Sequence, residues 1–155
     1  MIATESTLDN LTINIQTEIH VKASLETTWE ALLEELGPGQ TTERGPMPMK
    51  LEAWPGGRWF RDLGDNNGHW WGSVQAIKKG ALLEIAGPLF MSYPVSNNLQ
   101  YRLSEEKGGT LIQFHHTALG LVLEDHKKNV SKGWGAIHER VKQTAEAKAA
   151  KSGRR

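Results

Sequence analysis

The chain contains no cysteine among its 155 residues. This absence excludes a disulfide framework, thiolate zinc sites and a cysteine nucleophile, and it fits a reducing compartment. The chain also lacks a charge imbalance, because 18 Lys and Arg residues offset 18 Asp and Glu residues. A neutral chain has no overall field that attracts nucleic acid or an anionic membrane, so we expect no nucleic-acid partner.

Long hydrophobic runs are also missing. No stretch approaches the roughly 18 consecutive apolar residues that a membrane span requires. Residues 1–12 have neither a basic segment nor an apolar core, and we expect them to form a flexible N-terminal segment. These observations predict a cytoplasmic protein that does not insert into membranes, and the length predicts one domain.

Tryptophan, in contrast, is abundant. Six tryptophans occur in the chain, and four of them lie close together at Trp54, Trp59, Trp70 and Trp71. A buried indole contributes a large apolar area and an N–H group that needs a partner, which suits both a packed core and an amphipathic binding cavity. The composition alone leaves these two interpretations open.

Periodicity defines the elements at the two ends of the chain. Residues 13–21 alternate strictly between apolar and polar side chains, which predicts a half-buried strand. A helix over residues 25–35 follows, with Ser24 as its N-cap. A second helix is predicted from residue 124, with an apolar stripe at Val130, Trp134, Ile137 and Val141. The basic residues 146–155 continue no apolar face, and we expect this tail to fray.

Between these helices the sequence predicts a series of short strands joined by turns rich in glycine. The segment 37–48 carries three prolines and three glycines, which predicts a loop with at most one helical turn. A second irregular segment covers residues 87–98, which fits either a wall or lid of a pocket or a strand edge with a bulge. The predicted strands cover residues 49–54, 58–63, 69–77, 81–86, 99–103 and 110–117.

An ordered set of motifs carries a family resemblance. Its parts are Trp29 in the first helix, a hairpin at Trp54–Arg58, the strand Gly72–Ile77, the strand from Gly109 to His116, and Gly133-Trp134 in the last helix. This order resembles the SRPBCC superfamily, which is START-like and birch-pollen-allergen-like. Within it, the chain is similar to the branch named after the activator of the heat shock protein 90 ATPase. The resemblance covers residues 13–145, which we expect to form a single domain.

The resemblance implies an α+β helix-grip fold. In this fold a curved seven-stranded antiparallel sheet wraps around a long C-terminal helix, with a shorter helical segment after the first strand. A hydrophobic cavity is implied between the sheet and the long helix. Members bind lipids, sterols, polyketides or plant hormones, and a minority are enzymes, so the fold does not fix the function. The segment 37–48 departs from the short helix of the family, and we expect it to shape the cavity entrance.

Side-chain alternation predicts which residues face this cavity. In the strand 110–117, Phe114 and His116 lie on one face, whereas His115 lies on the other. In the strand 69–77, the small apolar residues near its end predict that Trp70 faces inward and Trp71 outward, and a bulge at Gly72 would exchange the two. The predicted cavity residues are Trp70, Val74, Tyr101, Phe114, His116 and Trp134.

Each polar or aromatic candidate has a purely structural alternative. His116 fits a core histidine bonded to a neighbour as well as a ligand-binding or acid–base group. Tyr101 fits a buried phenol satisfied by backbone, and Trp134 fits plain helix–sheet packing. His138 is adjacent to Ile137 in the last helix, which fits a position at the rim of the pocket, but we expect it to face solvent.

Metal and cofactor chemistry have no support in the motifs. The histidines at positions 20, 69, 115, 116, 126 and 138 form neither an i, i+4 pair on a helix nor a triad with a carboxylate. The sequence also has no nucleophile elbow, phosphate loop or dinucleotide fingerprint. We therefore expect no metal and no cofactor.

Three functions are compatible with these features. The first is a binding protein for a hydrophobic, aromatic or lipid-like small molecule, as a monomer or weak dimer. The second is an enzyme acting on an aromatic or polyketide-like substrate, with His116 as the catalytic candidate and Tyr101 or Asp62 as its acid–base partner. The third is an interaction protein with a chaperone or other protein partner, which would use Trp71 and Gly87–Pro94.

Overall fold

The dominant sheet forms because seven segments that alternate apolar and polar residues are joined by short turns. The structure is a computed structural model and describes residues 7–152. In chain order the described elements are α1 (Leu8–Leu11), β1 (Thr12–Val21), α2 (Leu25–Leu36), β2 (Thr41–Thr42), β3 (Gly45–Pro46), β4 (Lys50–Leu51), β5 (Arg58–Gly64), β6 (Asn67–Lys78), β7 (Leu82–Gly87), β8 (Val95–Glu106), β9 (Gly109–Gly120) and α3 (Glu124–Ser152).

The main sheet has the strand order β1-β9-β8-β7-β6-β5-β4, and all neighbouring strands are antiparallel. Strands β1 and β4 lie at its two edges, so the sheet is not a closed barrel. The predicted α+β helix-grip fold is confirmed, with α2 after the first strand and the long helix α3 at the C-terminal end of the described chain.

Two hydrogen bonds mark the ends of helix α2. The Ser24 hydroxyl accepts a hydrogen bond from the Thr27 amide at 3.1 Å, as expected for an N-cap. At the other end, the buried Trp59 indole donates to the Leu36 carbonyl at 2.7 Å. This bond satisfies one of the carbonyl groups that a helix leaves without an internal partner. It also joins α2 to strand β5.

Helix α3 crosses the inner side of the sheet and is anchored to α2 by a buried carboxylate. Glu35 accepts hydrogen bonds from the Thr144 hydroxyl at 2.7 Å and from the Arg140 guanidinium at 3.3 Å. The helix continues through Ala145 and Ala149 to Ser152, beyond the predicted domain end at residue 145, because alanine is a strong helix former. Residues 146–152, which were expected to belong to a frayed tail, are therefore helical, and the rest of that tail, residues 153–155, lies outside the described part.

Two further segments differ from the sequence predictions. The segment 37–48, predicted as a loop, contains the two-stranded hairpin β2–β3. Residues 8–11, predicted as part of a flexible segment, form the short helix α1, and residues 1–6 lie outside the described range. Within residues 7–152, no helix is both long and apolar enough to cross a membrane.

Candidate functional site

Five rings meet between the inner face of the sheet and helix α3. Strands β8 and β9 contribute Tyr101, Phe114 and His116, and α3 contributes Trp134 and His138. Phe114 is the centre of this inner cluster, with its ring centroid 4.8 Å from Tyr101, 5.2 Å from Trp134 and 4.5 Å from His138. Four of the predicted cavity residues, Tyr101, Phe114, His116 and Trp134, therefore lie together and pack against one another.

His116 holds the indole of Trp134 in place. The Trp134 Nε1–H group donates to His116 Nδ1 at 2.9 Å, and His116 Nε2 lies 2.8 Å from Asn97 Oδ1. Because an indole only donates, the histidine proton is on Nε2 and is donated to Asn97. Both ring nitrogens of His116 are thus engaged, which leaves neither available for acid–base work. Burial lowers the pKa of His116 to about 4, with a smaller contribution from His115.

The same chain of bonds reaches the irregular segment Gly87–Pro94. The Asn97 amide donates to the Pro88 carbonyl at 3.3 Å and to the Met91 sulfur at 3.7 Å. Leu89 is fully buried in this segment and has a φ of 56°, a left-handed conformation that is costly for leucine. The apolar side chains Leu89 and Met91 are directed into the core, so this segment does not present an exposed apolar surface.

His138 was predicted to face solvent, and this prediction is wrong. Only 4% of His138 is exposed, and its Nε2 lies 2.9 Å from the hydroxyl of the fully buried Tyr101. Burial raises the pKa of Tyr101 and lowers that of His138 to about 4, so both groups are uncharged at neutral pH. The buried stripe of α3 is Val130, Trp134, His138, Val141 and Ala145. The residues of this stripe have helical spacing, as do those of the predicted stripe through Ile137. This second stripe is the sequence signal that could have identified His138 as buried.

A cleft of about 350 Å³ opens beside this cluster, between strand β1 and helix α3. Trp134 and His138 line it, although each is only 4% exposed, and their rings are nearly parallel at 10°. Gly135 lies beside them, and a Cβ added there would meet open space. The complete lining is Thr17, Glu18, Ile19, His20, Ser131, Trp134, Gly135, His138, Glu139 and Lys142. The cleft thus has two largely buried rings in its lining and a charged rim.

Trp70 and Trp71 have exchanged their predicted orientations. Trp70 is 49% exposed on the outer face of the sheet, whereas Trp71 is only 7% exposed. The cause is a bulge, because Trp59 pairs with Gly72 and Phe60 pairs with Trp70, which leaves Trp71 without a partner on β5. The Trp71 ring packs on Trp59 at 5.1 Å, so Trp70 does not line the inner cluster.

The other candidates are separate from the cleft. Val74 is buried in the core but is not part of the cleft lining. Asp62 is bonded to Lys50 Nζ at 2.7 Å, so it does not pair with His116. His115 lies on the opposite face of β9 from His116 and is bonded to Asn14 Oδ1 at 2.7 Å. Within residues 7–152, no three histidine, aspartate or glutamate side chains gather as a metal site would require.

A second, shallower groove of about 400 Å³ lies on the outer face of the sheet. Its side chains are polar and come from β1, β8 and β9, and they include Gln16, Gln100, Arg102, Gln113 and His115. They bond to one another and to neighbouring strands, as in the 2.7 Å bond from Gln100 to Glu84. Among the described residues that line this groove, Phe114 is the one apolar side chain, and it is only 2% exposed, so the groove is mainly a solvated polar sheet face.

The fold and the residue pattern agree with a comparison against protein families. The model of the family described as activator of Hsp90 ATPase homolog 1-like protein matches residues 22–146, which is most of the chain. The chain belongs to this family. The resemblance to the chaperone-activator branch of the SRPBCC superfamily is thereby confirmed. Among curated proteins, the comparison finds none that matches.

Solved structures share the fold of this Hsp90-activator-like chain at low sequence identity. A protein from Rhizobium leguminosarum has a TM-score of 0.67 at 16% identity, and 88% of this chain and 95% of that chain are covered. CalU16 from Micromonospora echinospora has a TM-score of 0.56 at 22% identity, with 84% of this chain and 71% of CalU16 covered. Likeness at these identities shows the fold alone.

A third similar structure is the di-domain ARO/CYC StfQ from the steffimycin biosynthetic pathway. Its TM-score is 0.64 at 11% identity, and the match covers 94% of this chain. This chain spans about half of StfQ, since 53% of that protein is covered. The helix-grip fold of this family member is therefore shared with a protein of a biosynthetic pathway.

Proposed function

We propose that the chain binds an apolar, aromatic small molecule in the cleft between β1 and α3. The observation that carries the proposal is the cleft of about 350 Å³ whose lining includes Trp134 and His138. Ligand sites are typically concave and mostly apolar, with a few polar groups that fix orientation. The fold of the family supports a ligand-binding role in general, and StfQ shares it.

The predicted cavity residues take different roles in this proposal. In this proposal Trp134 and His138 both contact the ligand. Phe114 packs against both rings and His116 fixes the indole of Trp134, so these residues hold the two rings in one orientation. Rings held by buried neighbours favour binding because little conformational freedom is lost when the ligand enters.

Two glycines of α3 provide a matched pair of variants. Gly133 and Gly135 are both exposed, and a Cβ at either position meets open space, but only Gly135 lines the cleft. We expect Gly135→Leu to fill the cleft and to weaken ligand binding at least about tenfold, which corresponds to about 1.4 kcal/mol. Gly133→Leu places the same side chain outside the cleft and is expected to leave binding unchanged.

The measurement is a nitrogen–proton correlation spectrum titrated with naphthalene derivatives and flavonoids. The Trp134 indole signal, assigned with Trp134→Phe, is expected to shift in a saturable way, whereas the exposed Trp70 signal is expected to remain in place. Equal affinities of the Gly135→Leu and Gly133→Leu variants would place the ligand elsewhere. The absence of any saturable shift across the panel would reject the proposed function.

A further inference from the structure

The hydrogen bond between Tyr101 and His138 determines where the histidine proton lies. The Tyr101 hydroxyl is fully buried, and within residues 7–152 its only side-chain bond is to His138 Nε2 at 2.9 Å. If Nε2 donated, the tyrosine proton would be buried without an acceptor, which costs about 1–3 kcal/mol. Tyr101 therefore donates to Nε2, and the proton of the neutral imidazole is on Nδ1.

His138 Nδ1 is thus a donor beside the cleft. His138 lines the cleft together with Gly135, and its Nδ1 has no bond partner among the described residues. Nδ1 is not among the buried side-chain atoms without a partner in the described residues, so it reaches the cleft, where water or a ligand supplies an acceptor. Because its orientation is fixed by Tyr101 and by the packing of Phe114, this donor is preorganised.

On this basis, and resting on the proposed function, we propose a chemical class for the ligand. The geometry points to an uncharged aromatic compound with a carbonyl oxygen that accepts a hydrogen bond from His138 Nδ1. The aromatic part lies over Gly135, where an added Cβ would meet open space. Tyr101 does not touch the ligand and acts as a positioning residue, because it fixes which nitrogen of His138 donates.

The charges around the cleft favour a neutral ligand over an anion. The rim carries the carboxylates Glu18 and Glu139 and one ammonium group, Lys142, while His20 is bonded to Glu106. His138 supplies no positive charge at neutral pH, because burial lowers its pKa to about 4. The two carboxylates outnumber the single ammonium group, so a carboxylate on the ligand would meet a net negative rim, which is unfavourable.

Three naphthalenes of similar shape test this class. They are 2-acetylnaphthalene, which is neutral and accepts a hydrogen bond, 2-isopropenylnaphthalene, which has nearly the same shape without the oxygen, and 2-naphthoate, which is an anion. We expect the acetyl compound to bind about tenfold more tightly than the isopropenyl compound, as one net hydrogen bond provides. Naphthoate is expected to bind more weakly than the acetyl compound at neutral pH. Tighter binding of naphthoate would overturn the neutral class.

The control is the double variant Tyr101→Phe with His138→Phe. It removes both partners of the bond and retains two rings, so it avoids an unpaired buried group. We expect it to bind the acetyl and isopropenyl compounds with equal affinity, so that the tenfold preference for the acetyl compound is lost. A nitrogen spectrum of histidine-labelled unmodified protein provides an independent readout, and we expect it to show the His138 proton on Nδ1.

The outcomes separate this inference from the proposed function. If all three compounds bind with equal affinity, if the preference persists in the double variant, or if the proton lies on Nε2, the inference is wrong while the cleft remains a binding site. If no compound binds and no indole shifts, both the inference and the proposed function are rejected. The tautomer measurement uses the unmodified protein, so it decides the donor assignment even where the double variant folds poorly.

Discussion

The two faces of the main sheet differ in how they use the same residue types, and strand β9 shows this at neighbouring positions. His115 lies on the outer face, bonded to Asn14 within a network of solvated polar side chains. His116 lies on the inner face, fully buried, with both nitrogens engaged by Trp134 and Asn97. Because neighbouring residues of a strand point to opposite faces, His115 is a surface histidine and His116 is a core histidine.

The same comparison separates the two depressions of the molecule. The outer groove has the larger volume, about 400 Å³ against about 350 Å³ for the cleft between β1 and α3. Its walls are mainly polar side chains that already bond to one another, whereas the cleft has two largely buried rings in its lining and a glycine with open space above it. Chemistry rather than volume favours the inner cleft as the ligand site.

The neighbouring residues Trp70 and Trp71 give the strongest test of this contrast between faces. We expect Trp71→Ala to lower the free energy of unfolding by about 3–5 kcal/mol, because it removes a buried indole that packs on Trp59 and Phe90. Trp70→Ala removes a half-exposed ring and is expected to cost less than about 1 kcal/mol. Urea denaturation measures both values, and equal losses would contradict the bulge at Trp71.

Acid sensitivity is expected to come from the inner face. His116 and His138 have a pKa of about 4 in the folded protein, compared with 6.5 for an unperturbed histidine. Below pH 6.5 the unfolded chain therefore binds more protons, so the free energy of unfolding falls as the pH decreases from 6.5 to 4. Each histidine contributes a slope of up to about 1.4 kcal/mol per pH unit, and the two together about 3–4 kcal/mol between pH 7 and 5.

The double variant Tyr101→Phe with His138→Phe checks the source of this acid sensitivity. It removes one of the two buried histidines. Between pH 6.5 and 4, the unfolding free energy of the variant is therefore expected to depend less steeply on pH than that of the unmodified protein, by about 1.4 kcal/mol per pH unit. Urea midpoints measured across this range provide the comparison. An unchanged slope would show that His138 is not the group that titrates on unfolding.

The bonds of His116 are tested by replacement with a ring that cannot form them. His116→Phe leaves the Trp134 N–H group and the Asn97 carbonyl oxygen buried without their partner, and we expect a loss of about 2–3 kcal/mol. The matched variant His115→Phe changes an exposed pair with Asn14 and is expected to stay within about 0.5 kcal/mol. Similar losses in the two variants would show that the bonds of His116 contribute little.

The sequence predicted the fold because periodicity and turn chemistry are local properties. The alternation in β1, the Ser24 cap and the start of α3 near Glu124 all follow from residue spacing. The orientation of Trp70 and Trp71 did not follow, because a bulge depends on the pairing of two strands and not on the alternation within one. The prediction took the inward face from Val74 and Ala76, which follow the bulge. The bulge reverses the alternation, so the residues before it point to the opposite face.

The candidate site was predictable only in part, for a related reason. Tyr101, Phe114, His116 and Trp134 were placed on inward faces, and the structure brings them together. The role of His138 depends on which stripe of α3 faces the sheet, and two stripes with helical spacing, through Ile137 or through His138, are compatible with the sequence. The cleft at Gly135 depends on where the edge strand β1 ends relative to α3, which no local pattern records.

The smallest expected change in stability tests whether there is empty space beside Gly135 of helix α3, where the cleft lies. Glycine in an exposed helix costs about 1 kcal/mol relative to alanine, mainly through backbone entropy. Because a Cβ meets open space at both positions, Gly133→Ala and Gly135→Ala are each expected to raise the free energy of unfolding by about that amount. If Gly133→Ala stabilises the protein and Gly135→Ala destabilises it, then β1 packs against α3 at Gly135. That result would close the cleft on which the ligand proposal rests, whereas equal stabilisation supports an open cleft in the protein without ligand.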